Sequence, residues 1–216
     1  VLAYKLYISQ SEVSKGMLRL EKAKIISRYP DKGLEVHKHA LFEMLVHGLK
    51  YFMTAELNIE QRGTLTAYSS PCIKQKIVNQ HTYVWPYING QDKGISLTPL
   101  YKTLPKALDR FPDESFHELM SLLDLMRLGG SREIKIASEM LEMIRQEENR
   151  LALYEAATLL QDLNDEVVYV GGRIVGLLVT DELEDDVRPT FDIDVAVEVT
   201  GVIAHYALED RLRALG

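Results

Sequence analysis

Two aspartates and two glycines near the end of the chain have the types and spacing of a metal-dependent phosphate site. Asp192 and Asp194 stand two residues apart in the run Pro-Thr-Phe-Asp-Ile-Asp-Val, and paired carboxylates can hold a hard divalent cation such as Mg²⁺ or Mn²⁺. Gly171 and Gly172 follow the apolar run Val-Val-Tyr-Val, where backbone N–H groups can approach phosphate oxygens without a Cβ in the way. Such a site suits an in-line displacement at a nucleoside triphosphate.

The secondary structure predicted around these residues would bring them together. The apolar run at 167–170 favours a strand, the segment 173–180 a helix, and the run around Asp192 and Asp194 a second strand. Side chains alternate between the two faces of a strand, so both carboxylates project to the same side. The alternative is structural, because a lone Asp-x-Asp is usually a solvated strand end and a lone Gly-Gly is a weak signal.

The words Tyr-Val-Gly-Gly-Arg-Ile-Val-Gly-Leu-Leu-Val-Thr-Asp and Val-Arg-Pro-Thr-Phe-Asp-Ile-Asp-Val resemble the AbiEii-type toxin branch of the nucleotidyltransferases, over residues 151–216. The resemblance implies nucleotide transfer from a triphosphate to tRNA or a protein acceptor. It implies that Asp192 and Asp194 are catalytic metal ligands and that Gly171 and Gly172 bind the nucleotide. The family's third carboxylate lies on a later strand, which the sequence up to Gly216 does not show, so we expect a partial domain.

A second candidate site lies near the beginning of the chain. Ser9 followed three residues later by Glu12 has the spacing of a capping box, which predicts a helix starting near residue 10 or 11. An amphipathic helix ending near Tyr7 would complete a helix-turn-helix. The exposed face of the second helix is predicted to carry side chains that reach phosphates and base edges of double-stranded DNA, namely Gln10, Ser11, Ser14, Lys15 and Arg19.

The run Ser-Gln-Ser-Glu-Val-Ser-Lys-Gly-Met-Leu-Arg-Leu at 9–20 resembles the recognition helix of MarR-like winged helix regulators. The resemblance implies DNA binding, transcriptional autoregulation and a homodimer. A structural or protein-binding role is the alternative, since a fold alone does not fix function. Val13 and Leu20 are expected to be buried against the first helix.

The middle of the chain is predicted to be a mostly helical extension. Apolar periodicity favours helices over 39–52 and 113–128, the second ending at Gly129, and Ser131 is expected to cap a third. The Pro- and aromatic-rich stretch between them predicts irregular structure with short strands, with Trp85 in the core rather than stacked on bases. The words His-Gly-Leu-Lys-Tyr at 47–51 and Arg-Gly at 62–63 resemble an uncharacterised regulator family often encoded beside AbiEii-type enzymes.

Composition fits a globular chain with two unlike parts. Of 216 residues, 46% are hydrophobic and 26% charged, and the net charge is -7. Residues 1–148 hold 20 Lys+Arg against 18 Asp+Glu, whereas 149–216 hold 5 against 14, so the two parts should have different partners. Cys72 is the only cysteine, which favours a cytoplasmic protein. The longest apolar run, at 167–180, is too short for a membrane span.

These patterns predict an α+β chain in three parts: a winged helix-turn-helix at 1–36, a mostly helical regulator extension at 37–147 and a partial nucleotidyltransferase α/β fold at 148–216. A continuous helix around 140–151 is expected to join the halves, because that segment lacks Pro, Gly and Ser. The leading hypothesis is a toxin-antitoxin-like fusion carrying a DNA-binding regulator. The alternatives are a metal-dependent nucleotidyltransferase and a non-catalytic interaction scaffold.

Overall fold

The computed structural model describes residues 1–30, 33–160, 163, 166–170, 193–197 and 202–214, with the backbone alone for 202–205. The described elements form a mixed α+β chain, as predicted. The chain divides into two compact units, Val1–Leu141 and Glu142–Gly216. None of the described helices is both long enough and apolar enough to cross a membrane.

The first unit opens with two helices and a hairpin: α1 (Leu2–Leu6), α2 (Gln10–Lys22), β1 (Ile26–Tyr29) and β2 (Gly33–Val36). The two strands pair antiparallel. The predicted order of helix, turn and capped helix is confirmed. Buried Ile25 and Ile26 anchor the start of the hairpin, and α2 contacts β1.

The turn between α1 and α2 is set by local chemistry. Tyr7 ends α1 in the left-handed conformation, with φ 54°, which turns the chain sharply. Ser9 Oγ then accepts a hydrogen bond from the Glu12 N–H at 3.1 Å, and the Glu12 carboxylate accepts one from the Ser9 N–H at 3.1 Å. The predicted capping box is therefore confirmed, and it satisfies two N–H groups that the first helical turn would otherwise leave unpaired.

A long helical segment follows the hairpin. It consists of α3 (Lys38–Glu43), a π-helical turn (Met44–Gly48) and α4 (Leu49–Phe52), which confirms the helix predicted over 39–52. A π turn holds one residue more than an α turn. Gly48 lies in it, and a Cβ there would stand 2.8 Å from the ring of Phe52, so a larger residue would require this exposed side chain to shift.

Three further helices belong to the second half of this unit: α5 (Pro71–Lys74), α6 (Leu104–Arg110) and α7 (Glu114–Leu128). Asp113 caps α7 by accepting a hydrogen bond from the Phe116 N–H at 2.9 Å. The helix predicted over 113–128 is confirmed.

The long helix α8 (Ser131–Leu159) spans 29 residues and passes through the boundary between the two units, which confirms the helix expected at 140–151. The prediction that Ser131 caps α8 is wrong. Ser131 is the first helical residue, and the Glu133 carboxylate accepts a hydrogen bond from the Gly130 N–H at 2.9 Å. Glycine is tolerated at the N-cap position, so Glu133 supplies the side-chain half of the cap by itself.

A closed three-stranded sheet lies between α4 and α6. It contains β3 (Leu57–Leu65), β4 (Tyr83–Pro86) and β5 (Asp92–Leu97). β3 pairs antiparallel with both other strands, and β4 pairs parallel with β5. So tight a closure requires backbones to touch: a Cβ at Gly63 would collide with the Trp85 carbonyl, and one at Gly94 with the Thr82 carbonyl. The region is more regular than the sequence predicted.

The core of the first unit is organised by a buried ion pair between Asp124 and Arg127 on α7. Their side chains are 1% and 4% exposed, and Arg127 Nη1 lies 2.5 Å from Asp124 Oδ1. The other carboxylate oxygen accepts hydrogen bonds from Trp85 Nε1 at 2.5 Å and Thr66 Oγ1 at 2.8 Å. Burial raises the pKa of the Asp124 carboxyl, and the positive charge of Arg127 and the hydrogen bonds of Thr66 and Trp85 act against that rise.

The guanidinium of Arg127 also joins two other segments of the chain to α7. It donates to the carbonyls of Met53 at 2.7 Å, Thr54 at 3.1 Å and Thr98 at 3.2 Å. Met53 and Thr54 follow α4, and Thr98 follows β5. Trp85 itself is fully buried, which agrees with the expectation that it serves the core.

The second unit contains β6 (Val167–Val170), β7 (Asp194–Val197) and α9 (Val202–Ala214). The two strands pair antiparallel in a register that sets Val170 opposite Asp194. Both strands were predicted from the sequence. The helix expected at 173–180 lies outside the described residues.

Breaking one half of the buried ion pair should strongly destabilise the first unit. Arg127→Leu leaves the Asp124 carboxylate buried without its cation, and we expect a loss of about 3 to 5 kcal/mol in the free energy of unfolding, measured by urea denaturation. Arg132→Leu, at the exposed start of α8, is the control and should change it by less than about 0.5 kcal/mol. The double variant Asp124→Asn, Arg127→Leu should recover part of the loss. Equal stability of the two single variants would contradict the role given to the pair.

Candidate functional site

The exposed side of α2 carries one continuous stripe of side chains. At 3.6 residues per turn, positions i, i+3, i+4, i+7 and i+11 lie on one face, and all five residues at these positions are exposed. They are Ser11, Ser14, Lys15, Leu18 and Lys22. The opposite side of α2 carries Val13, Met17 and Leu20, which are half-buried. The prediction that Val13 and Leu20 are buried is therefore wrong, because no residue of α2 is buried. The helix still presents its more exposed, polar side outward.

The five residues predicted to contact DNA are all exposed on α2, but they do not share one narrow face. Ser11, Ser14 and Lys15 lie in the stripe. Gln10 and Arg19 are nine residues apart, which places them about 180° from each other around the helix axis. They therefore flank the stripe on opposite edges.

Two stripe residues were missed by the sequence analysis, Leu18 and Lys22. Extending the helical period by one more turn would have found both of them. Leu18 is 54% exposed and is the only aliphatic side chain in the stripe, which gives it the chemistry to contact a thymine methyl group. Gly16 lies beside the half-buried side of α2, and a Cβ there would meet nothing within 4 Å, so no close approach within the described structure explains this glycine.

The surroundings of α2 are basic. Within residues 1–30, six basic side chains stand against two acidic ones. Glu12 is engaged in the capping box, and Glu21 pairs with Arg28 at 3.4 Å. In the part of the chain that the structure describes, Lys15, Arg19 and Lys22 have no ion-pair partner, so their charges are open to an outside anion. The basic side chains are Lys5, Lys15, Arg19, Lys22, Lys24 and Arg28.

The hairpin β1–β2 adds a second exposed element next to α2. Ser27 Oγ and His37 Nε2 are 2.7 Å apart, which holds the base of the hairpin together. Tyr29 and Leu34, toward its tip, are 44% and 49% exposed. The hairpin thus presents amphipathic side chains beyond the end of α2.

A cleft of about 270 Å³ beside β4 and α7 has the opposite character. Four carboxylates line it and neither Lys nor Arg does; the carboxylates belong to Asp92, Asp109, Asp113 and Glu114. Its charge disfavours phosphate groups, so it does not compete with α2 as a surface for nucleic acid.

Of the candidate phosphate site in the second unit, the structure describes one residue. Asp194 begins β7 and is exposed. Gly171, Gly172 and Asp192 lie outside the described residues. The register places Val170, which directly precedes Gly171, opposite Asp194. Among the residues that are described, no group of three or more His, Cys, Asp or Glu side chains could hold a metal ion.

The capping box should matter to the stability of α2. Ser9→Ala removes the side chain that accepts the Glu12 N–H, and we expect a loss of about 1 kcal/mol in the free energy of unfolding, read from urea denaturation. Ser11→Ala is the matched control, because Ser11 is exposed in the same turn and alanine is the better helix former. If both variants were equally stable, the cap would contribute nothing to the folded state.

Comparisons with known proteins do not assign the chain to a family. No family model, curated protein or solved structure matches the chain.

Proposed function

We propose that the chain is a DNA-binding regulator that inserts α2 into the major groove of double-stranded DNA, with the hairpin β1–β2 as the wing of a winged helix domain. The observation that carries the proposal is the exposed stripe of α2 with its unpaired cations. The order of helix, turn, capped helix and antiparallel hairpin supports it, because the second helix of such a motif is the one that enters the groove.

The chemistry of the stripe suits the two tasks of a recognition helix. Lys15, Lys22 and Arg19 can neutralise backbone phosphates, which supplies affinity that does not depend on sequence. Ser11, Ser14 and Gln10 offer hydroxyl and amide groups to base edges, and Leu18 offers a methyl contact. A homodimer would present two such helices to two half-sites of an operator, and a regulator of this kind would act in the cytoplasm.

Removing the cations of α2 should weaken DNA binding and its dependence on salt. For Lys15→Ala, Arg19→Ala, we expect the slope of log K against log salt concentration to fall by about one unit for each lost phosphate contact. The measurement is fluorescence anisotropy of a labelled random duplex, and of a duplex selected from a randomised pool, at several salt concentrations.

Lys74→Ala, Lys76→Ala is the matched control, because it removes the same charge from two exposed lysines at the end of α5. The control should keep the slope of the unmodified chain. An α2 variant with the affinity and slope of the unmodified protein would remove α2 from the DNA surface.

A second candidate function has an observation of its own. Val170 and Asp194 pair at one end of the β6–β7 sheet, and in the sequence Gly171 and Gly172 directly follow Val170 while Asp192 stands two residues before Asp194. We propose that this end binds Mg²⁺ or Mn²⁺ with a nucleoside triphosphate and serves nucleotide transfer to tRNA or a protein acceptor. Asp192 and Asp194 would hold the metal, which would supply positive charge to the triphosphate.

The metal site can be tested on the described aspartate. Mn²⁺ should raise the melting temperature of the unmodified chain, because a cation relieves the repulsion between the paired carboxylates. The rise should disappear in Asp194→Asn and persist in the control Asp210→Asn, an exposed position on α9. The same Mn²⁺ effect in both variants would exclude Asp194 as a ligand, and a chain that binds neither DNA nor metal would fit an interaction scaffold.

A further inference from the structure

A row of cations lies on α6 and just before it, outside the exposed stripe of α2. Lys106 and Arg110 are four residues apart on α6, which places them on the same face, and Lys102 lies in the turn two residues before α6 begins. All three are exposed. Like charges at this spacing repel one another and weaken a helix slightly, so the row is stabilised by whatever anion neutralises it.

The chain itself supplies no such anion in its described part. None of the three cations is in an ion pair there, although Asp109 lies next to Arg110 in the sequence. The Asp109 carboxylate instead accepts a hydrogen bond from the Tyr87 hydroxyl at 2.9 Å. The charges of the row are therefore available to a partner.

The row is fastened to the turn of the helix-turn-helix. Thr103 Oγ1 donates to the Leu6 carbonyl at 2.6 Å, and Lys106 Nζ stands 4.3 Å from the centroid of the Tyr7 ring. The ring of Phe111, at the end of α6, lies 5.4 Å from that of Tyr4. These contacts hold α6 against α1 and against the turn.

The position of the turn between α1 and α2 indicates which part of a bound duplex the cations of α6 would face. Tyr7 is two residues from Ser9, the N-cap of α2, a path of about 3.8 Å per residue. In a helix-turn-helix bound to DNA, the first residues of the second helix reach the base edges and the first helix crosses the phosphate backbone. Groups attached to the turn and to α1 therefore lie beside phosphates. The stripe of α2 stays exposed while α6 packs on α1, so both surfaces are open together.

We propose that Lys102, Lys106 and Arg110 form a second DNA-contacting surface, a phosphate strip that holds the duplex backbone beside the groove entered by α2. This inference rests on the proposed DNA-binding function and deepens it. The strip contacts phosphates and no bases, so it contributes affinity to every duplex and leaves discrimination between sequences to α2.

The test uses the full chain and two labelled duplexes, one random and one selected from a randomised pool. Lys106→Gln, Arg110→Gln should lower the slope of log K against log salt concentration by about two units. It should also weaken binding to both duplexes by the same factor. The control Lys74→Gln, Lys76→Gln, with the same loss of charge at the end of α5 and just after it, should behave as the unmodified protein.

Loss of the Tyr7 contact could disturb α1 in this variant, so a second variant keeps it. Lys102→Gln, Arg110→Gln retains Lys106 above the Tyr7 ring and should lower the slope by the same amount, with an unchanged melting temperature. If the unmodified chain binds neither duplex, the proposed function and the strip both fail. If it binds and both double variants keep its slope, or if they lose discrimination between the duplexes, the strip alone is overturned.

Discussion

The first unit depends on the ion pair between Asp124 and Arg127. A three-stranded closed sheet offers little apolar area, and here a buried charged pair on α7 adds polar contacts to Trp85 of that sheet. The carboxylate accepts hydrogen bonds from the Trp85 indole and the Thr66 hydroxyl. The guanidinium donates hydrogen bonds to three backbone carbonyls. Buried charges are tolerable only when their hydrogen-bonding capacity is used in this way. The pair therefore fixes where the ends of α4, β3 and β5 meet α7.

The position of the helix-turn-helix follows from this pair through a short series of contacts. Trp85, held by Asp124, packs in a buried cluster with Leu104 and Leu108 of α6. The residue before Leu104 is Thr103, whose hydroxyl binds the last carbonyl of α1 at Leu6. The helix pair α1–α2 is thus connected to the core through α6, although α6 lies far from both helices in the sequence.

Local signals in the sequence predicted local structure well. The capping box of Ser9 and Glu12 needs only four residues, and α7 needs only apolar periodicity and a following glycine, so both could be predicted. Strands β6 and β7 could be predicted from short apolar runs in the sequence. The exposed side of α2 could be predicted from its sequence pattern. The five predicted contact residues do not lie on one face, because helix geometry places Gln10 and Arg19 on opposite sides of the helix axis.

What the sequence could not provide were the contacts between distant segments. Asp124 and Arg127 look like ordinary surface charges of an amphipathic helix, because their other partners lie between 29 and 74 residues away in the chain. Nothing local indicates that Lys106 stands over Tyr7 or that β4 runs parallel to β5. The extra residue of the π turn before Leu49 also escapes periodicity, because the apolar pattern continues through it.

The closure of β3, β4 and β5 affects the tendency of the chain to aggregate with unfolded or partly folded proteins. A sheet edge with free N–H and C=O groups invites another strand to add to it, which is a common route to aggregation. Each of these three strands has a neighbour on both sides, so this described sheet lacks an edge along its paired length. The sheet closes only because Gly63 and Gly94 have no Cβ, which lets the backbone approach the carbonyls of Trp85 and Thr82. A side chain at either position would reopen it and expose the most hydrophobic strand of the barrel, Tyr83–Pro86, to strand exchange.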